Sequence, residues 1–175
     1  MPSYENNKGF SLGIRRVVRA TLFFIGMQEQ ERLSAEFEQL LRGAGLDLVE
    51  LVSSRHRGSV QVRAVVYSRT GTGTKECVTA HRLIYPRLQI IFAIEDPYLE
   101  VTSPGIDRVL KTPREYGIFA GKGIKILLRD ETEWIHGRLV GLEEEKLIID
   151  GRDGRESYAL AEVAKARLDS TQEGD

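Results

Sequence analysis

The chain has 175 residues, 41% apolar and 29% charged, with a formal net charge of −1, the balance of one ordinary globular domain or two small ones. No apolar run approaches the ~20 residues that a membrane-spanning helix needs. The single cysteine, Cys77, excludes an intramolecular disulfide framework and fits a reducing, cytoplasmic setting.

The near-neutral total hides a polarity. Residues 51–75 carry five cations (Arg55, Arg57, Arg63, Arg69, Lys75) and no acid. Residues 101–129 hold six Lys/Arg against two Asp/Glu, and residues 130–175 hold six against thirteen, a balance of −7. Such segregation steers one surface toward anions and another toward cations.

In chain order, residues 1–27 combine Lys8, Arg15, Arg16 and Arg19 with the short apolar run TLFFIG. That run is too short for a signal peptide and no small-residue cleavage pattern follows it. We expect an extension, disordered or weakly helical, with Met27 as the effective start. Residues 28–43 read as an amphipathic helix: Leu33, Phe37, Leu40 and Leu41 fall on one face, and Gly43 and Gly45 stop it. Residues 46–52 and 59–67 have strand composition, with Val60, Val62, Ala64 and Val66 on one face and a basic connection over 53–58. A loop over 69–74 leads to a second helix near Lys75, capped by Thr74, with a stripe of Cys77, Ala80, Ile84 and Leu88. Pro86 is expected to kink or end that helix. A strand over 98–102 completes an α-β-β-α-β two-layer unit.

After Asp107 the pattern changes. Thr112, Pro113 and Glu115 have the spacing of a capping box with proline at the first helical position, and Gly117 and Gly121 limit this helix to about two turns. Short strands follow at 124–129, 133–142, 146–150, 156–160 and around 164–168. Short strands joined by charged turns predict a small β-barrel of the SH3 or Sm kind. The fold class expected is therefore α+β, with an N-terminal domain over 28–107, a C-terminal barrel over 108–170 and a polar tail over 171–175.

Little here supports catalysis. Cys77 and His81 are one helical turn apart, but two ligands do not make a zinc site, and a helical cysteine is more often core. Residues 71–75, GTGTK, lack the spacing of a phosphate loop. Three adjacent acids, Glu143 to Glu145, cannot share one face of a strand and suit a solvated turn. His56 and His136 are isolated, and Trp134 is assigned to packing. The candidate nucleic-acid contacts are Arg55, Arg57, Arg63, Arg69, Arg108, Lys111 and Arg114, cations of the type that neutralise phosphates without reading bases.

The densest signal is EVTSPGIDRVL, from Glu100 to Leu110. Pro104-Gly105 suits the centre of a type II turn, with Gly105 at positive φ. Asp107 is expected on turn amides and Arg108 outward. This segment resembles the signature of the bacterial ribosome maturation factor RimP family, a strand followed by Ser103, Pro104, Gly105, an aliphatic residue, Asp107 and Arg108, then a Lys-Thr-Pro helix start. Gly45-Leu46-Asp47-Leu48-Val49 and the position of Cys77 resemble the same family. Val109 where proline is common, Lys75 where an acid is usual, Pro86 and the first 27 residues depart from it. The resemblance implies a cytoplasmic, non-enzymatic, cofactor-free assembly factor with an α/β domain and an SH3/Sm-like barrel. Its implied partner is the immature small (30S) ribosomal subunit. Ribosomal RNA would meet the basic surface, and a basic small-subunit protein the acidic barrel. The linker, Ser103 to Arg114, would hold the two surfaces in register. A general RNA-binding regulator with an Sm-like barrel is the alternative.

Overall fold

A computed structural model describes residues 27–56 and 59–172. The expectation for residues 1–26, the candidate contact Arg57 and residues 173–175 of the tail lie outside the described residues. Contacts divide the chain into two compact units, one ending at Thr102 and the other beginning at Ser103.

The first unit opens with α1, described over residues 27–42. Leu33, Phe37 and Leu41, spaced four apart, are 3%, 0% and 0% exposed. Each such burial contributes about 2 kcal/mol, which fixes the helix against the sheet. Its exit is left-handed at Gly45, φ +72°, so that the Leu46 N–H reaches back to the Leu41 carbonyl at 3.1 Å. Strand β1 (Asp47–His56) pairs antiparallel with β2 (Ser59–Tyr67). The predicted connection over 53–58 is thus mostly strand: Ser53 to His56 pair in register with Val62 to Ser59. Only one face of this hairpin is covered, so polar residues can extend it on the other. Val60, Val62, Ala64 and Val66 face the core as predicted.

Helix α2 (Thr74–Phe92) carries the chain to β3 (Tyr98–Thr102), which pairs parallel to β2 and gives the sheet order β1-β2-β3. The predicted Thr74 cap is corrected. Gly73 is the N-cap, and its N–H donates to the Glu76 carboxylate at 2.9 Å. Of the predicted kink or end at Pro86, the end is corrected, because the helix runs through it. Pro86 and Arg82 are both exposed, so the carbonyl deprived of its donor can bond to water. Ala80, Ile84 and Leu88 are fully buried, with Cys77 packed beside them.

The second unit begins with an ordered approach to α3 (Pro113–Ile118). Then β4 (Gly123–Leu128), β5 (Trp134–Glu143), β6 (Lys146–Gly151) and β7 (Gly154–Ala159) form an antiparallel meander. A single 3-10 turn, Leu160–Glu162, returns the chain so that β8 (Val163–Leu168) pairs with β4. The sheet order is β7-β6-β5-β4-β8. The expected barrel is therefore not closed, since β7 and β8 end the sheet without pairing. Register shifts at Leu139/Gly141 and Leu127/Leu128 bend the strands. However, β7 presents exposed Arg155 and Glu156, charges of the kind that guard a free edge. Ile124, Ile126, Leu139, Leu147 and Ile149 fill the sheet's inner face, and Phe119 joins them in the buried set.

Candidate functional site

The SPGIDR segment is built onto the second unit. The Leu168 N–H donates to the Arg108 carbonyl at 2.9 Å, and the Leu110 N–H to the Ala166 carbonyl at 2.9 Å, so residues 108–110 lie along β8 like a short extra strand. The turn closes from Arg108 N–H to the Gly105 carbonyl at 3.1 Å, with Ile106 and Asp107 at its centre. This corrects the Pro104-Gly105 turn. Gly105 does not adopt positive φ, and a Cβ there would meet only Asp107 Oδ1 at 3.7 Å. Pairing of Arg108 and Leu110 with β8 sets where the chain must reverse, and that moves the turn downstream.

Arg108 is turned inward. Its Nε donates to Glu115 Oε2 at 2.8 Å, with the two side chains 10% and 2% exposed. The other carboxylate oxygen accepts the Lys111 N–H at 3.3 Å and the Thr112 hydroxyl at 3.4 Å. The predicted capping box is modified accordingly. Thr112 is the N-cap and Pro113 the first helical residue, but the Thr112 side chain caps no amide, because Glu115 is drawn to Arg108 and the preceding amide. Asp107 accepts from Arg167 Nη1 at 3.4 Å, with Asp107 73% exposed. Ile106, at the apex of the turn, is 78% exposed.

Within the first unit the candidate cations do not form one patch. Arg55 lies on the helical side of the hairpin, bonded to Glu29 at 2.8 Å and 4.5 Å above the Phe92 ring. Arg63 lies on the opposite, open face, 4.0 Å from Glu100. Arg69 follows the far end of β2, about 25–30 Å from the hairpin tip at the rise of a strand. Lys111 and Arg114 are exposed beside α3.

Arg69 has company that the sequence did not reveal. A cleft of about 540 Å³ at the end of the first sheet is lined by Arg42 from α1, Arg69 from the β2–α2 loop and Lys75 from the first turn of α2. Asp47 and Glu76 are its acids. The loop is closed on itself: Ser68 N–H donates to Thr72 Oγ1 at 2.8 Å, the Ser68 and Thr70 hydroxyls share a bond at 2.9 Å, and Gly71 N–H donates to the Ser68 carbonyl at 3.1 Å. Arg42 and Arg69 are 27 positions apart in the sequence, so only the fold brings them together.

In the second unit a hollow of about 1160 Å³ runs over β5, β6 and β7, with Trp134 and Tyr158 among four acids, Glu133, Asp150, Asp153 and Glu156, and two cations, Arg138 and Arg152. Burial, then the Glu156 carboxylate, pushes the Tyr158 phenol up to about 12. Trp134 is half-buried with Lys125 Nζ 5.7 Å from its ring centre. His136 Nδ1 bonds Asp169 Oδ2 at 2.7 Å, and Asp169 also receives the Thr171 N–H and hydroxyl.

Cys77 is half-buried against the core, and burial followed by the neighbouring Glu76 charge raises its thiol above the ordinary value. That disfavours the thiolate a nucleophile needs. His81 stacks on Tyr85 at 5.3 Å. Among the described residues no three His, Cys, Asp or Glu side chains gather as metal ligands, and no helix is long and apolar enough to cross a membrane.

Residues 36–107 match the family model of the RimP N-terminal domain. Over 124 residues, 71% of this chain and 85% of the relative, the sequence is 28% identical to the ribosome maturation factor RimP of Borrelia hermsii (strain HS1 / DAH).

Proposed function

We infer that this chain is a member of the RimP family of ribosome maturation factors, acting as a non-catalytic, cytoplasmic factor for assembly of the small (30S) ribosomal subunit. The observation that carries the reading is the match over residues 36–107, which takes in all of the SPGIDR segment but Arg108.

The exposed cations Arg55, Arg63, Arg69, Lys111 and Arg114 are its contacts to ribosomal RNA phosphates, a mode that neutralises charge without reading sequence. Arg108 serves the fold instead. The acidic hollow of the second unit, with Trp134 and Tyr158 on its walls, suits a basic small-subunit protein. The second unit is read as an SH3/Sm-like sheet opened between its end strands. Its meander, single 3-10 turn and return of the last strand onto the first support that assignment.

Sucrose-gradient sedimentation of cell extract tests the proposal. Cosedimentation with small-subunit precursors is expected; migration with free fractions or polysomes alone would overturn it. Equal affinity for unrelated free RNA and for precursors would transfer the reading to a general RNA-binding regulator.

A further inference from the structure

We propose that the first part of β5, residues 134–137, is an open strand edge to which an extended segment of a protein partner adds as a further strand. The proposal rests on the reading that the hollow of the second unit meets a ribosomal protein, and it names how that protein is held.

Strand β5 outruns its neighbour on one side. Residues 134–138 pair with β4, but pairing with β6 begins only at Arg138, opposite Asp150, and runs to Glu143. Residues 134–137 therefore have a strand on one side and, among the described residues, none on the other. The main-chain groups of successive residues alternate in direction along an antiparallel ladder. The Leu139 N–H donates to the Lys122 carbonyl at 2.8 Å, on the β4 side. Gly137 and Ile135 face β4 likewise, so the N–H and C=O of Trp134 and His136 face away from it. The opposite strand agrees: the Gly123 carbonyl accepts the Asp169 N–H at 2.9 Å, so Gly123 faces β8 and its partner Arg138 faces β6. Among the described residues no bond takes up the main-chain groups of Trp134 or His136 on the open side.

This edge is also unguarded. Free edges are commonly blunted by charged side chains or proline, as Arg155 and Glu156 do on β7, whereas residues 134–137 are Trp, Ile, His and Gly. All four line the hollow of about 1160 Å³, together with Tyr158. The main chain selects the occupant. Two N–H and two C=O groups at strand spacing match an extended polypeptide, and a phosphodiester chain lacks that alternation of donors and acceptors. Side-chain charge offers nothing to a polyanion either. Even when Arg155, which bonds Asp150 at 2.9 Å, is counted with Arg138 and Arg152, the four acids of the lining outnumber the cations. The half-buried Trp134 ring gives the alternate side chains of an added strand a flat apolar surface.

The test uses the full chain and a synthetic peptide of about 12 residues in which lysine and valine alternate, long enough to cover the edge. Backbone amide exchange is read by NMR. In the free chain the amides of Trp134 and His136 should exchange fast and those of Ile135 and Gly137 slowly. With peptide at up to about 1 mM, the first pair should slow at least ~10-fold. The same peptide methylated on every backbone nitrogen keeps its side chains and loses its donors, and should bind at least ~10-fold more weakly. His136→Pro removes the outward N–H and no bond to β4; it should bind the peptide at least ~10-fold more weakly than His136→Ala, which loses the imidazole alone, with urea unfolding confirming that both variants fold. Four results overturn the proposal: Trp134 and His136 amides as slow as Ile135 and Gly137 in the free chain; no slowing with peptide; equal binding of the methylated peptide or by the two His136 variants; and equal slowing of the same amides by an oligouridylate. Cosedimentation with small-subunit precursors separates the two levels. If the wild-type chain cosediments while the amides never slow, the strand site is excluded and the family role stands; if the amides slow but the chain stays in free fractions, the ribosomal reading fails and the strand site stands.

Discussion

Removing Arg108 should act on the second unit as a core mutation does. Glu115 is 2% exposed and its Oε2 is held by Arg108 Nε at 2.8 Å, whereas its other two bonds are long, 3.3 and 3.4 Å. With Arg108→Ala the carboxylate stays buried and loses the guanidinium that pairs with it. Breaking one side of such a pair costs about 3–5 kcal/mol, a large share of the ~5–15 kcal/mol that holds a whole domain. The pair is almost completely shielded from water, so the discount that applies to surface ion pairs does not apply here. Arg152→Ala, on an exposed turn, should change stability by less than about 0.5 kcal/mol.

The chain's single tryptophan, Trp134, lies in β5, so urea unfolding followed by tryptophan fluorescence reports the second unit. The double substitution Arg108→Met with Glu115→Leu removes both charges while keeping the volume filled, and it should recover at least ~2 kcal/mol relative to the sum of the single losses. Arg108→Ala indistinguishable from Arg152→Ala, or strictly additive single and double effects, would refute the view that Arg108 anchors the fold.

Four other perturbations probe separate parts of the molecule. Gln30 donates to the Leu51 carbonyl and accepts from the Ser53 N–H (3.2 Å) and hydroxyl (2.5 Å), pairing the edge of β1 as a neighbouring strand would; Gln30→Leu should cost about 1–2 kcal/mol and promote concentration-dependent self-association in sedimentation velocity. Glu144 and Glu145 both sit at positive φ, 46° and 62°, in the two-residue turn between β5 and β6, and replacing them with Asn-Gly should raise stability by about 1–2 kcal/mol in urea. For Asp169, burial opposes ionisation, but bonds from Thr171 and His136 outweigh it and hold the carboxyl below its usual value. Its stabilisation is therefore complete above the ordinary carboxylate value of about 4 and is lost as pH falls through the lower folded value, so Asp169→Asn should flatten the acid limb of a urea-midpoint profile. Gly105→Ala should be tolerated within about 0.5 kcal/mol, a marginal change in the same urea assay, because no left-handed backbone has to be held there.

Local rules carried the sequence reading a long way and failed where a tertiary partner decided. The alternation of Val60 to Val66 and the spacing of Leu33, Phe37 and Leu41 were legible because one buried face is enough to impose a period. The last strands were legible for the same reason, since Ile124 and Ile126, and Leu147 and Ile149, mark the inner side of their strands. Thr112 and Pro113 correctly marked the start of α3. What could not be read was the partner of Glu115. A Thr-x-x-Glu spacing has a local explanation, and nothing in one dimension says that an arginine seven residues upstream will take the carboxylate instead. Gly105 misled for a related reason. Pro-Gly is a turn signal in isolation, but here the backbone of Arg108 and Leu110 is committed to β8, and that commitment moves the reversal to Ile106-Asp107. The cations misled differently: Arg55 and Arg63 are close in sequence, yet strand alternation sends them to opposite faces of one sheet.

These corrections change what the SPGIDR segment means. A motif specified at nearly every position invites a reading as a binding site, and Arg108 is the residue that invites it most. Yet the segment's bonds run inward: Arg108 to Glu115, its carbonyl to Leu168, Leu110 to Ala166. Each of these depends on its neighbours, so few substitutions are neutral even where no ligand is touched. The resemblance to the RimP family was therefore readable from residues that hold the fold, while exposed cations such as Arg63 and Arg69 form no motif at all. A recognition surface made of exposed charges needs only the right sign at the right place, and the fold, not the spacing along the chain, supplies the place.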